Sequence, residues 1–199
     1  MSTTPDLFDA KPCAPEGFAY RDDVLSSAEE RTCVERFATL PFAPFEFHGF
    51  VGKRRIVSYG WRYDYGAERA RAVAPIPDFL LALRERAAAV AHLAPEMLEQ
   101  ALVTEYAAGA AIGWHRDKPM FEEVVALSFL STCRLRLRRR ADRGWERHSV
   151  DVRPRSAYLL RGPIRHEWEH SIPPVAALRY SVTFRRFRPG RAPRPPPGN

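Results

Sequence analysis

Apolar residues recur at helical spacing in two stretches of the chain and at every second position through most of the remainder. Ser27 with Glu30 forms a capping-box pattern ahead of Cys33, Val34 and Phe37, which predicts a first helix from Ser27. A second helix is expected with Asp78 as N-cap, running through Phe79, Leu80, Leu83, Ala87 and Val90 to about Leu93, with polar Arg84, Glu85 and Arg86 interposed. From Phe45 to Tyr65, and again from Ala101 to Phe187, the period shortens to two. Ile56, Val57 and Tyr59, Val124 to Leu130, Leu135 and Leu137, Val150 and Val152, Ala157 to Leu160, and Leu178, Tyr180, Val182 and Phe184 mark these strands. Seven or eight short strands separated by turn residues predict a mainly β, α+β architecture. A sandwich or jelly roll carries its N-terminal helices packed against one sheet.

Composition narrows the picture. The chain has 199 residues and a mass of 22.7 kDa, which fits one compact unit. Residues 1–20, with Pro5, Pro12 and Pro15, and residues 189–199, rich in proline, arginine and glycine, read as tails around a domain over 21–188. Within it, 21–100 reads as helical support with a recognition region and 101–188 as the jelly-roll core. Apolar residues make up 45% and the mean hydropathy is -0.37, without any apolar run long enough for a membrane span, so a soluble protein is expected. Cys13, Cys33 and Cys133 are too scattered for a disulfide framework or a Cys-x-x-Cys zinc site, and the N-terminus lacks a secretory pattern. A reducing, cytoplasmic setting and a monomer are the expectation. Net charge is +7, and of the 31 basic residues only Lys11, Lys53 and Lys118 are lysine. An excess made of guanidinium favours an acidic partner such as nucleic acid, unless it reflects nothing beyond an arginine-rich genome.

Three segments could carry chemistry. In YAAGAAIGWHRDK, an extended chain would put His115 and Asp117 on one face, a metal-ligand arrangement or else a solvated charged pair. In RHEWEHSIPP, His166 and His170 share one face of an extended segment, so only one of them could reach a metal. His48, His92 and His148 have no partner pattern and read as structural or solvent-facing. In LRYSVTFRRF, Arg179, Ser181, Thr183 and Arg185 share the face opposite Leu178, Tyr180, Val182 and Phe184; taken alone, that doubly cationic face reads as solvated. Arg134, Arg136 and Arg138 form a further stripe opposite Leu135 and Leu137, either a phosphate track or a soluble face.

His-x-Asp with a distal His is the donor set of the facial triad of non-haem iron(II) oxygenases. With the glycine-containing run before His115 and the Arg-Tyr-Ser-Val-Thr-Phe-Arg strand near the end, the chain resembles the AlkB family of 2-oxoglutarate- and iron(II)-dependent dioxygenases over roughly Arg54 to Arg185. The resemblance implies a double-stranded β-helix in which His115, Asp117 and His170 hold Fe(II), with His166 a neighbour of the site. It implies that Arg179 pairs with the distal carboxylate of 2-oxoglutarate, helped by the Tyr106 hydroxyl, and that Arg185 sits near the chelating end. Thr104 and Ser181 stand where the family often has Asn, as shorter hydrogen-bonding co-substrate contacts. RRIVSYGWRYDYG is similar to the family's nucleotide-recognition region, which nominates Arg55, Trp61, Tyr63 and Tyr65 as substrate contacts; Tyr59 and Trp61 also suit a core strand. Asp117 is followed by Lys118 and Pro119, where members that demethylate DNA bases often carry a second acid. The implied activity is oxidative dealkylation of N-alkylated bases in DNA or RNA, using O2 and releasing aldehyde, succinate and CO2. The alternatives are the same chemistry on a methylated protein or small molecule, and a non-catalytic metal-binding module.

Overall fold

A computed structural model of the chain describes residues 14–47, 50–64 and 69–191. Its first strand, β1 (Phe18–Arg21), lies within the stretch expected as a tail. Its four residues pair antiparallel with 157–160, and Gly17 makes the entry possible: at φ +83°, a Cβ there would stand 1.9 Å from the Arg161 carbonyl oxygen. The proline-rich sequence before it gave no period from which so short a strand could be read.

Helix α1 (Ser27–Phe37) is capped one residue earlier than the pattern suggested. Ser26 Oγ accepts from the Glu29 amide at 3.2 Å and the Ser26 amide donates to Glu29 Oε2 at 2.7 Å, so Ser26 and Glu29 form the box. The strands β2 (Ala43–Phe47), β3 (Phe50–Tyr59), β4 (Trp61–Asp64) and β5 (Arg69–Ala72) come next. Asp78 does not cap the second helix. It opens a 3-10 turn over Asp78–Leu80 whose extended lead-in is set by Pro77, and α2 (Leu81–Ala91) follows, ending on His92 in the left-handed region at φ 54°. The remaining elements are β6 (Gln100–Tyr106), β7 (Ile112–His115), β8 (Phe121–Phe129), β9 (Cys133–Arg140), β10 (Trp145–Val152), β11 (Ala157–Leu160), α3 (Pro163–His166), β12 (Glu169–Ile172) and β13 (Arg179–Phe187).

The strands form a seven-stranded sheet in the order β1-β11-β8-β13-β6-β3-β2, a four-stranded sheet in the order β10-β9-β12-β7, and a β4-β5 ribbon, all antiparallel. The larger sheet has both faces covered. Phe37, Leu80, Leu83 and Val90 pack on the side carrying Val103, Val125, Tyr180, Val182 and Phe184. On its other side Tyr106, Val124, Tyr158 and Leu160 meet Leu135, Leu137 and Ile172 of the smaller sheet. This is the expected jelly roll with supporting helices.

The helices take the apolar face of β13, so its polar face must turn toward the second sheet. Arg179, Ser181 and Thr183 are buried, which corrects the solvated reading of that face. Alternation separates the two faces of a strand without saying which of them is covered. Among the described residues no helix is long and apolar enough to cross a membrane.

Candidate active site

At the β7–β12 pairing the register slips, so that Gly113 and Trp114 together oppose Ser171. A bulge bends the strand and re-aims a side chain. Here it leaves Ile112 and His115 both facing Ile172 and His170 across the pair. It also brings the Gly113 carbonyl oxygen to 3.0 Å from His115 Nδ1. A carbonyl can only accept, so the contact selects the tautomer with the proton on Nδ1, which leaves Nε2 of the neutral ring as the nitrogen able to bind a metal. The His115 and His170 rings lie 4.2 Å apart between centroids, and His170 Nε2 is 3.7 Å from Asp117 Oδ2.

Asp117 is held by cations. Arg185 donates to its Oδ1 at 3.0 Å and, through its other terminal nitrogen, to Gln100 Oε1 at 2.9 Å. Burial alone would push the Asp117 carboxyl up, but Arg185, His170, Arg165 and His115 outweigh it and hold the group well below the usual carboxylate range. Burial pushes His170 down to about 3, reinforced by His115 and opposed by Asp117. At neutral pH the cluster is therefore an ionised carboxylate beside a neutral imidazole at His170, the protonation states a divalent metal requires of such ligands. Two imidazoles and a carboxylate form an open donor set fitting Fe(II). Among the described residues no three His, Cys, Asp or Glu side chains are closed up as a ready-made cage, and Asp117 is turned partly to Arg185.

Three strands supply the wall beside this cluster. Register aligns Arg54 with Tyr106 and Arg179, Ile56 with Thr104 and Ser181, and Gln100 with Arg185. A cavity of about 520 Å³ opens over these rungs, lined by every residue of them except Arg179 and also by Tyr158, Trp114 and Lys118; Arg179 is buried beside it, against Tyr106. Arg179 is 1% exposed, its guanidinium 4.7 Å from the Tyr106 ring centroid, and its Nε and Nη1 have no hydrogen-bond partner. Buried donors without partners are rare in folded proteins, and a guanidinium fork fits a carboxylate. The cradle therefore fits an anionic co-substrate such as 2-oxoglutarate.

The structure places the other expected residues unevenly. Tyr63 lines the cavity, with Lys118 Nζ 4.4 Å over its ring. Arg55 does not: it pairs with Glu105 at 2.7 Å on the opposite face of β3, and its neighbour Arg54 lines the cavity instead. Trp61, half-buried on β4, does not line the cavity and packs edge-on against Phe187 at 5.8 Å. Tyr65 and His48 lie outside the described residues. His166 belongs to α3 rather than to an extended run shared with His170; it contacts Glu122 at 3.1 Å and Arg188. His148 packs against Phe18.

Arg54 and Arg165 open two of the segments quoted above without being nominated for a role, and Gln100 lies in none of them. Arg165 is buried on α3 and donates to the Lys118 carbonyl next to Asp117. Its partner is a backbone atom, which leaves no trace in a sequence. Gln100 stands six residues before Tyr106 on the same strand face, and period-2 counting back from Tyr106 would have found it.

The sequence profile of the 2OG-Fe(II) oxygenase superfamily matches residues 25–187. The alkylated DNA repair protein ALKBH8 homolog of Arabidopsis thaliana is 27% identical over 151 residues, covering 62% of this chain and 42% of its own length. The chain thus spans less than half of that curated relative. The solved structure of OsALKBH1 superposes with a TM-score of 0.67 at 16% identity, over 85% of this chain and 96% of that one. A prolyl-4-hydroxylase of Pseudomonas putida superposes with a TM-score of 0.56 at 18% identity, over 88% and 95%. Identities this low speak to the fold.

Proposed function

The chain belongs to the 2OG-Fe(II) oxygenase superfamily, and on that premise we propose that it oxidatively dealkylates N-alkylated bases in DNA or RNA. His115, Asp117 and His170 hold Fe(II) in this reading, and Arg179 with Tyr106, Thr104 and Ser181 holds 2-oxoglutarate. Bound iron(II) supplies the activation of O2, coupled to decarboxylation of 2-oxoglutarate to succinate and CO2, and the oxidised alkyl group leaves as an aldehyde.

The chain's own residues do the positioning. Gly113 fixes the His115 ring so that Nε2 is the donor turned away from the backbone. Arg185 orients Asp117 and is itself steadied by Gln100. Arg179, buried beside the Tyr106 ring, takes the far carboxylate, which keeps the keto acid from rotating. Tyr63, Arg54 and Lys118 line the same cavity and are available to the substrate.

The observation that carries the reading is the buried guanidinium of Arg179, with two unsatisfied nitrogens, in the wall beside the His115–Asp117–His170 cluster. The nucleic-acid target draws support from the basic charge and the ALKBH8-homologue relative. The test is mass spectrometry of methylated and etheno-modified DNA and RNA oligonucleotides, and of a methylated peptide, after incubation with protein, ferrous iron and 2-oxoglutarate. Base repair with matching succinate is the expected result, abolished in Asp117→Ala. Succinate formed only with the peptide would move the chemistry to protein; none with any substrate would leave a metal-binding module.

A further inference from the structure

The outer face of the four-stranded sheet reaches the site only at its edge, through Trp114 and Arg116. Inward, β9 buries Cys133, Leu135 and Leu137; outward it presents Arg134, Arg136, Arg138 and Arg140. Register sets Arg147 of β10 directly opposite Arg138, and Trp145 opposite Arg140. Like charges facing each other across a ladder are destabilising, so this arrangement needs compensation. Part of it is internal. Asp151 pairs with Arg134 at 2.7 Å and Glu169 with Arg138 at 2.7 Å. Arg138 is also sandwiched between two indoles, its guanidinium carbon 4.2 Å from the Trp114 centroid and 4.1 Å from that of Trp145.

The compensation is incomplete. Arg140 and Arg147 are exposed and have no carboxylate partner among the described residues. The bulge that turns His115 inward leaves Trp114 on this outer side against Arg136 and Arg138, and Arg116, exposed just beyond it, lines the opening of the cavity. Four strands at ordinary spacing make the face about 14 Å across. A cationic row thus begins at the cavity and crosses the sheet.

We propose that this face is a phosphate track, along which a single-stranded polynucleotide with its target base in the cavity runs its backbone from Arg116 past Trp114 and Arg138 to Arg147 and Arg140. The proposal rests on the nucleic-acid reading above and adds where the strand lies. Because guanidiniums already stack on the indoles, the track meets phosphates rather than bases and carries no sequence preference.

The experiment measures binding of the full chain to a labelled oligothymidylate of about 20 nucleotides by fluorescence anisotropy across a salt series. Arg140→Glu with Arg147→Glu weakens binding about tenfold or more and lowers the slope of log K against log salt by about 1.4, since each single-strand phosphate contact contributes about 0.7. Arg31→Glu with Arg36→Glu, on the helix across the far face of the larger sheet, makes the same change in net charge and leaves the slope alone. The milder pair Arg140→Gln and Arg147→Gln, at an unchanged melting temperature, gives the same direction of change without risk to the sheet. Equal losses from the track pair and the helix pair overturn the track while leaving the nucleic-acid reading standing. No binding by the unaltered protein overturns both.

Discussion

A guanidinium sealed in the wall of a jelly roll with two nitrogens unsatisfied makes Arg179 costly to keep, and that cost is the argument for its role. Replacing a buried charge by an apolar group of similar length is often neutral or stabilising. Arg179→Met is therefore expected to hold or raise the melting temperature while raising the KM for 2-oxoglutarate by roughly 10- to 100-fold, the worth of about 1.5–3 kcal/mol for a charge-assisted bond. A fall in melting temperature with an unchanged KM would make the residue structural. At this scale the sequence was informative where spacing repeats a fixed chemistry, as in the His-x-Asp pair of His115 and Asp117, and silent where one residue decides a face, as at Arg179, which spacing alone left solvated. Arg54 and Arg55 are both arginine on one strand, and only the covering of the sheet says that Arg54 meets the cavity while Arg55 meets Glu105. The bulge at Gly113 and Trp114 was equally hidden, since it exists only against Ser171.

The elements were legible as kinds more than as boundaries. Both Ser26 and Ser27 can open a helix, and each has a glutamate three residues on, Glu29 and Glu30. The chain uses the first pair for the cap and gives Glu30 other work, accepting from the Leu130 amide at 2.9 Å and from Arg155 at 3.2 Å. Ser26→Ala should cost about 0.5–2 kcal/mol in urea unfolding. Ser27→Ala should stay within about 0.5 kcal/mol, as an exposed substitution away from any cap does. The reverse order, with the larger cost at Ser27, would place the helix start where the pattern first suggested it. Strand β1 was missed for the opposite reason, because four residues between prolines and loop give too short a window for a period to register.

Over the whole molecule, one end of the larger sheet is tied to helix α3 by charges from distant parts of the chain. Glu122 of β8 accepts from Arg188, just past β13, at 2.8 Å and meets His166 of α3 at 3.1 Å. Burial pushes the Glu122 carboxyl up, but His166 and Arg188 prevail and hold it below its ordinary value of 4.5. A carboxyl lowered in the folded state binds fewer protons there than in the unfolded chain, so its contribution is complete above about pH 4.5 and is lost as pH falls through the folded value. Glu122 is about a quarter exposed, with 27% of its side chain accessible, which discounts the tie to about 1 kcal/mol. The net charge of +7 grows as carboxylates titrate, adding repulsion to every variant alike. The informative quantity is thus the difference between wild type and Glu122→Gln in urea midpoint. It should be present at pH 7 and shrink progressively as pH falls below about 4.5. A difference that persists unchanged into acid would mean that Glu122 acts through packing, and that α3 is held to the end of the larger sheet without its charge.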